Sequence, residues 1–362
     1  MDSHLTICCQ FSNSGYIKLG QYVETLHATS LHIYVYLSDC KISKMGDKQR
    51  HFKLYNESPL YQLFVSFVII LGVGITLSII LFLAGELIFG SDLTVLEKSA
   101  EALSDNDVDF LRYILIIQDI SLLLVPSIII LVMMKPVSST GLSELKIPHL
   151  KEAGLVVILA FCIFPITSFT GQINAGMHLP EWLSGVEKWM VEKEDHANNI
   201  INQVMVSPAF GTMILNLFII AVLPAIAEEM LFRGVLQKIL YNLFKSGHAA
   251  IWVTAFVFST IHFQFFGFVP RFILGLVFGY LFFWSGTLWL PVIAHFVNNA
   301  VPVVIAYIQG MQKFSEPVDT PLLKQIILLP LPIAISLLIL FYFRNKSRNT
   351  NGPGNPEVSI LN

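Results

Sequence analysis

From about residue 60 onwards the chain alternates long, nearly unbroken apolar runs with short polar or basic intervals. A hydrocarbon core of roughly 30 Å takes about 20 helical residues to cross. About eight runs approach that length: roughly 60–90, 110–134, 152–172, 210–240, 249–266, 270–286, 288–309 and 322–343. The fifth and sixth are short and joined by Gln264-Phe-Phe-Gly-Phe-Val-Pro270, so they can form one hairpin that only partly crosses. The expected fold is all-α, a polytopic membrane helix bundle of about eight transmembrane helices.

The intervals set the boundaries. Residues 1–59 are expected to form a poorly ordered N-terminal tail. Met45, directly before the first apolar run, is a candidate natural start, testable by mass spectrometry of the intact protein for tail peptides. Residues 60–209 hold the first three spans. They also carry an amphipathic surface helix near 179–195, where Leu179, Trp182, Leu183, Val186, Trp189 and Met190 recur at helical spacing opposite Glu187, Lys188, Glu192 and Lys193. That helix can serve as an anchor, or as a lid that guides substrate. Residues 210–309 form a core, and 310–362 the last span with a solvated tail. Lys and Arg are retained on the cytoplasmic side. Lys44, Lys48, Arg50 and Lys53, then Lys135, Lys146 and Lys151, then Arg233, Lys238 and Lys245, and finally Arg344, Lys346 and Arg348 alternate with poorer intervals. An integral, multi-pass protein with both termini cytoplasmic satisfies this order.

Composition agrees: 54% of residues are hydrophobic and 13% charged, the membrane class. The net charge of −3 says nothing about partners, and no basic patch interleaved with aromatics points to nucleic acid, so no nucleic-acid partner is expected. Cys8, Cys9, Cys40 and Cys162 support neither a disulfide framework nor a cysteine zinc site. The expected partners are the lipid bilayer and a membrane-associated protein or peptide.

One run departs from simple apolarity. Ala221-Val-Leu-Pro-Ala-Ile-Ala-Glu-Glu-Met-Leu-Phe-Arg-Gly234 buries two adjacent carboxylates, and ionisable groups at such depth are a functional signal. Successive helical residues are about 100° apart, so Glu228 and Glu229 face different ways. Glu229 precedes Arg233 by one turn, the favourable order for a pair, which leaves Glu228 unpaired locally. Pro224 frees the carbonyl of Ile220. Phe258 lies one turn before His262, and His295 one turn before Asn299. Asn298 points elsewhere and is read as a helix-packing group. Glu228 lies about 17 residues before the expected turn at 246–248 and His262 about 14 after it, a matching depth on antiparallel helices. A pocket below the cytoplasmic surface can therefore collect Glu228, His262, His295 and Asn299. A carboxylate shielded from water suits general base work, an imidazole can share activation of a water, and an imidazole with a carboxamide can stabilise an oxyanion. Hydrolysis of a peptide bond uses all of these parts. Ser259 is the weaker candidate for a nucleophile.

Glu228-Glu229-x-x-x-Arg233, Phe258-x-x-x-His262 and His295-x-x-x-Asn299, in this order on successive helices, resemble the three motifs of the CPBP family. That family of intramembrane glutamic or metalloproteases includes the CAAX prenyl proteases of the Rce type and the bacteriocin-immunity (Abi) proteins. The resemblance covers about 210–305. It implies an endopeptidase in which Glu228 and His262 activate water, His295 and Asn299 form the oxyanion site, and Glu229, Arg233 and Phe258 support the site. It leaves the metal open: Glu228, His262 and His295 can supply a two-His, one-carboxylate zinc site, or act without a cofactor. The substrate it implies is membrane-associated, CAAX-like or lipidated. Two other classes remain. One is a non-catalytic relative acting in binding, scaffolding or bacteriocin self-immunity. The other is a carrier using Asp119 or Glu86 as relays, although no broken repeat of the kind found in transporters is present.

Overall fold

The computed structural model describes residues 54–98, 103–135, 145–205, 209–309 and 322–351. Residues 1–53, which hold most of the expected N-terminal tail, Met45 and the basic residues before residue 54, lie outside that set. Among the described residues every regular element is helical, so the all-α bundle stands.

Nine helices organise it among the described residues. The spans are α1 (Pro59–Phe89), α2 (Asp105–Met133), α3 (Leu150–Ala175), α5 (Phe210–Phe244), α7 (Phe265–Ser285), α8 (Trp289–Ile308) and α9 (Lys324–Asn349). Between them come α4 (Ser184–Met205) and α6 (Gly247–Thr260). Among the described residues seven are thus long and apolar enough to cross a membrane, where about eight were expected. The difference is α6: its 14 residues rise about 21 Å, short of the roughly 30 Å core. It begins after Lys245 turns the chain in the left-handed region (φ 54°), with Ser246 accepting from the Ala249 amide.

Alternating passes bring related ends together. Leu54, ahead of α1, packs with Val235 and Ile239 late in α5. Glu152 at the start of α3 pairs with Lys346 near the end of α9. Thr287 and Trp289, in the α7–α8 turn, donate to the carbonyls of Lys146 and Leu145. The start of α1, the end of α9 and the basic turns therefore share one face. At the opposite face Asn174, ending α3, donates to the carbonyl of Phe265 and accepts from the Val269 amide. The largest core cluster joins α3, α7, α8 and α9 through Leu159, Ile163, Phe278, Leu281, Ala294 and Phe343.

Candidate active site

The carboxylate pair sits in an irregular part of α5. An α-helical segment, Leu223–Glu229, lies between π-helical turns at Phe218–Val222 and Met230–Leu236. Such wider turns shift the register and recur at functional sites. Pro224 has no N–H to offer the Ile220 carbonyl, and that oxygen instead accepts from Asn299 Nδ2 at 3.2 Å. A helix defect on α5 thereby docks α8.

Glu229 and Arg233 are fully buried. Arg233 Nη1 donates to Glu229 Oε1 at 2.8 Å, and the same oxygen faces His295 Nδ1 at 2.9 Å. Arg233 Nη2 then reaches the carbonyl of Gly275 (3.0 Å), while one turn on Gln237 Nε2 reaches that of Gly279 (3.1 Å). Two donors four apart on α5 meet two carbonyls four apart on α7. The glycines make this possible. A Cβ on Gly275 would stand 2.9 Å from the Ala255 Cβ, and one on Gly279 would stand 2.8 Å from the Ile251 Cγ2 and 3.1 Å from the Gln237 Oε1. Small residues four apart are a known device for close approach of membrane helices. The guanidinium carbon also lies 4.9 Å from the Phe258 ring centre and 5.4 Å from that of Phe278.

Glu228 faces the other way. Its Oε2 is buried with no hydrogen-bond partner, 3.8 Å from His295 Nε2 and 4.0 Å from His262 Nε2. The partners of the two imidazoles decide what those nitrogens offer. His262 Nδ1 lies 2.7 Å from the carbonyl of Phe258, which only accepts, so Nδ1 carries the proton and Nε2 a lone pair. The contact also satisfies one of the free carbonyls at the end of α6. The fifth apolar run was expected to keep His262 inside a helix; α6 instead ends at Thr260, and Phe263 turns the chain back with φ 50°. A bulky residue in the left-handed region is strained, and the strain sits beside a site residue. His295 Nδ1 is committed to the Glu229 carboxylate, which directs its Nε2 to Glu228 as well. Phe258 stands edge-on to both rings, with centres 5.0 Å from His262 and 6.1 Å from His295.

Glu228, His262, His295 and Asn299 line one cavity of about 350 Å³ together with Asn298 and Arg271. Its far wall comes from Ile201 and Met205 of α4 and from Gln264 in the α6–α7 turn. These belong to the face opposite the basic turns, so the cavity does not lie below the basic face as expected. The matching depth of Glu228 and His262 counted from the 246 turn holds, with the two side chains 4.0 Å apart, but α6 spans most of the thickness before reaching His262.

Other expectations shift too. Asn298, read as pointing away, lines the cavity and donates to Asn299 Oδ1 at 3.2 Å. The Ser259 hydroxyl is used by the Phe268 carbonyl at 2.6 Å. Asp119, in a π-helical turn of α2, is buried within electrostatic reach of Glu228 and makes no hydrogen bond to a described residue. The link from His295 to Glu229 was missed because it joins positions 66 apart. Gly275-x-x-x-Gly279 and the arginine inside the sixth apolar run were visible signals left unread.

A tetrahedral zinc with bonds of about 2.0–2.1 Å sets its ligand atoms about 3.4 Å apart. Glu228, His262 and His295 have the right chemistry for such a site, two lone-pair nitrogens and an orphaned carboxylate oxygen. Their 3.8 and 4.0 Å separations are too wide, and among the described residues no three such groups are placed to hold one ion.

The fold and site define a multi-pass, all-α membrane protein with a buried glutamate–histidine centre. Residues 210–301 match the family model described as type II CAAX prenyl endopeptidase Rce1-like, as the three motifs suggested. A stretch of 90 residues, 24% of this chain, is 33% identical to the uncharacterized protein YpbD of Bacillus subtilis (strain 168). It spans 43% of that relative's length, and no solved structure matches.

Proposed function

We propose that this protein is an intramembrane endopeptidase that hydrolyses a peptide bond of a membrane-associated substrate, CAAX-like or lipidated, by a metal-free mechanism. The observation that carries the reading is the orphaned Oε2 of Glu228 between two Nε2 atoms whose lone pairs are exposed by their partners. A water making hydrogen bonds of about 2.8 Å to Glu228 and to His262 at about a right angle spans roughly 4 Å between them. Glu228 accepts the proton as that water attacks the carbonyl carbon, then returns it to the leaving amine. His262, whose Nδ1 proton is fixed by the Phe258 carbonyl, presents the lone pair of Nε2 and orients the water as acceptor. The developing oxyanion takes the N–H of Asn299 that Ile220 does not use. His295 can donate to it only when it carries a second proton, since its Nδ1 proton is spent on Glu229.

The test is cleavage of a quenched-fluorescent peptide library, with and without lipidated members, by purified protein in detergent. Activity should vanish in Glu228→Ala and His262→Ala and persist in chelator. Cleavage that survives Glu228→Ala sinks the hydrolytic role. Loss in chelator with rescue by zinc replaces the metal-free mechanism, and a wild type that cleaves no member favours the non-catalytic reading.

We also propose that both termini are cytoplasmic, as the basic turns suggest. The cavity wall formed by α4 and Gln264 then lies toward the other side of the membrane. Labelling of Gln264→Cys by an impermeant reagent from the cytoplasmic side would overturn that orientation.

A further inference from the structure

We propose that Arg271 is the cavity's carboxylate-binding residue, holding a carboxylate of the bound peptide near Glu228, and that Glu194 of α4 stands in part of that field until the peptide arrives. The inference rests on the reading of the cavity as a peptide site and adds the chemistry by which the peptide is recognised.

Arg271 is the sole lysine or arginine among the described lining residues, and it forms no ion pair within 4.0 Å. Its guanidinium is nonetheless held in place. Nη1 donates to the carbonyl of Gln264 at 3.1 Å and Nη2 to that residue's Oε1. Gly267 leaves the space, since a Cβ there would overlap the Nη1 and Cζ atoms. The head group is therefore positioned by an acceptor side chain and a missing Cβ, with N–H groups to spare. A planar guanidinium with free donors matches a carboxylate in two-pronged fashion, which a point charge does not.

Glu194 is the second, independent observation. It projects from α4 toward the α6–α7 turn, against the backbone N–H of Phe266 and within the field of Arg271. Its Oε2 is buried without a partner. Burial pushes this carboxyl up, and Arg271 opposes that without reaching contact. A cation without a counter-ion in contact and a carboxylate with one oxygen lacking a donor thus lie near one another at this end of the cavity, with Trp189 of α4 packed on Phe265 (5.3 Å between ring centres) beside them. A peptide carboxylate entering there completes the arginine.

The carboxylate can be the end of a peptide chain or an acidic side chain, and the experiment separates these. Fluorescein-labelled peptides of one sequence are prepared with a free C-terminal acid, with a C-terminal amide, and as the amide with one glutamate near the end. Binding to the full chain carrying Glu228→Ala is measured by anisotropy in detergent micelles, with and without Arg271→Gln. A charge-assisted contact predicts that at least one acid-bearing peptide binds about 10- to 100-fold tighter than the neutral amide. Arg271→Gln should bring that ratio to about one, and Arg271→Lys, keeping charge without the fork, should leave an intermediate ratio. Equal binding of all three peptides overturns the proposal, as does a preference that survives Arg271→Gln. If Arg271→Gln does not fold, the reduced ratio in Arg271→Lys decides. Acid preference without cleavage by the wild type keeps the Arg271 site and removes the peptidase; cleavage without acid preference does the reverse.

Discussion

Helices α1 and α7 are both apolar and of membrane-crossing length, yet the bundle uses them in opposite ways. Of the most apolar stretch of α1, 6% is buried inside the protein; for α7 the share is 39%. Leu60, Phe64, Ile80 and Leu87 of α1 point outward, as lipid-facing side chains can, because lipid is as good a solvent for them as protein. What buries α7 is shape and polarity: two glycines that let α6 in, and two carbonyls that receive Arg233 and Gln237. In a membrane, apolarity places a helix in the bilayer, while small residues and buried donors place it against a neighbour.

Arg233→Leu attacks that arrangement hardest. It strands the buried Glu229 charge and frees the Gly275 carbonyl, at a cost of about 3–5 kcal/mol. Thermal unfolding in detergent should show a large loss, with activity lost as well, whereas Leu87→Ala on α1 should stay within about 0.5 kcal/mol. If the two variants melt alike, the distinction between the helices fails.

Glu228→Gln sharpens the comparison by separating chemistry from packing. Peptidase activity should fall by about 10²–10⁴-fold as general base catalysis is lost. Melting should barely change, because Glu228 Oε2 holds no hydrogen bond that folding would miss. A variant that unfolds would place Glu228 with the structural groups.

Gly275→Val tests shape alone. Its methyl groups must enter space held by Ala255 and Phe258, which predicts about 1–3 kcal/mol of destabilisation; Gly72→Val on α1, where nothing stands within 4 Å, should show almost none.

The smallest effect lies outside the spans. The hydrogen bond from His178 holds the Glu187 carboxyl below its usual range, and Glu187 also accepts from the Leu179 amide. A depressed carboxylate contributes stability above its unfolded pKa and loses it as pH falls through the folded one. Hydrogen exchange at the Leu179 amide should therefore show protection that fades on acidification. His178→Ala should move that fading to higher pH, and an unchanged profile would remove the pair from the account.

Much of this protein can be read from local pattern. Glu229 and Arg233 are one turn apart, and the structure pairs them; the freed carbonyl of Ile220 follows from Pro224 alone, though nothing local says that Asn299 takes it. The three motifs name Glu228, His262 and His295, which the structure brings to one cavity. The end of α6 at Thr260 was not legible, since apolar residues continue through Ile261 and Phe263, and the stop comes from a positive φ with an imidazole capping the last turn.

By itself the sequence determined that this chain lies in a membrane, roughly where most of its helices run, and which side chains are too polar to be there without a purpose. Those follow from transfer free energies and helical periodicity, which act over a few residues at a time. Tertiary structure decided that one oxygen of Glu229 serves both Arg233 and His295. It also decided that Arg271 shares the cavity with Glu228, and that the cavity faces α4. These depend on contacts between helices distant in the chain, whose register is set by glycines, π-helical turns and buried donors acting together.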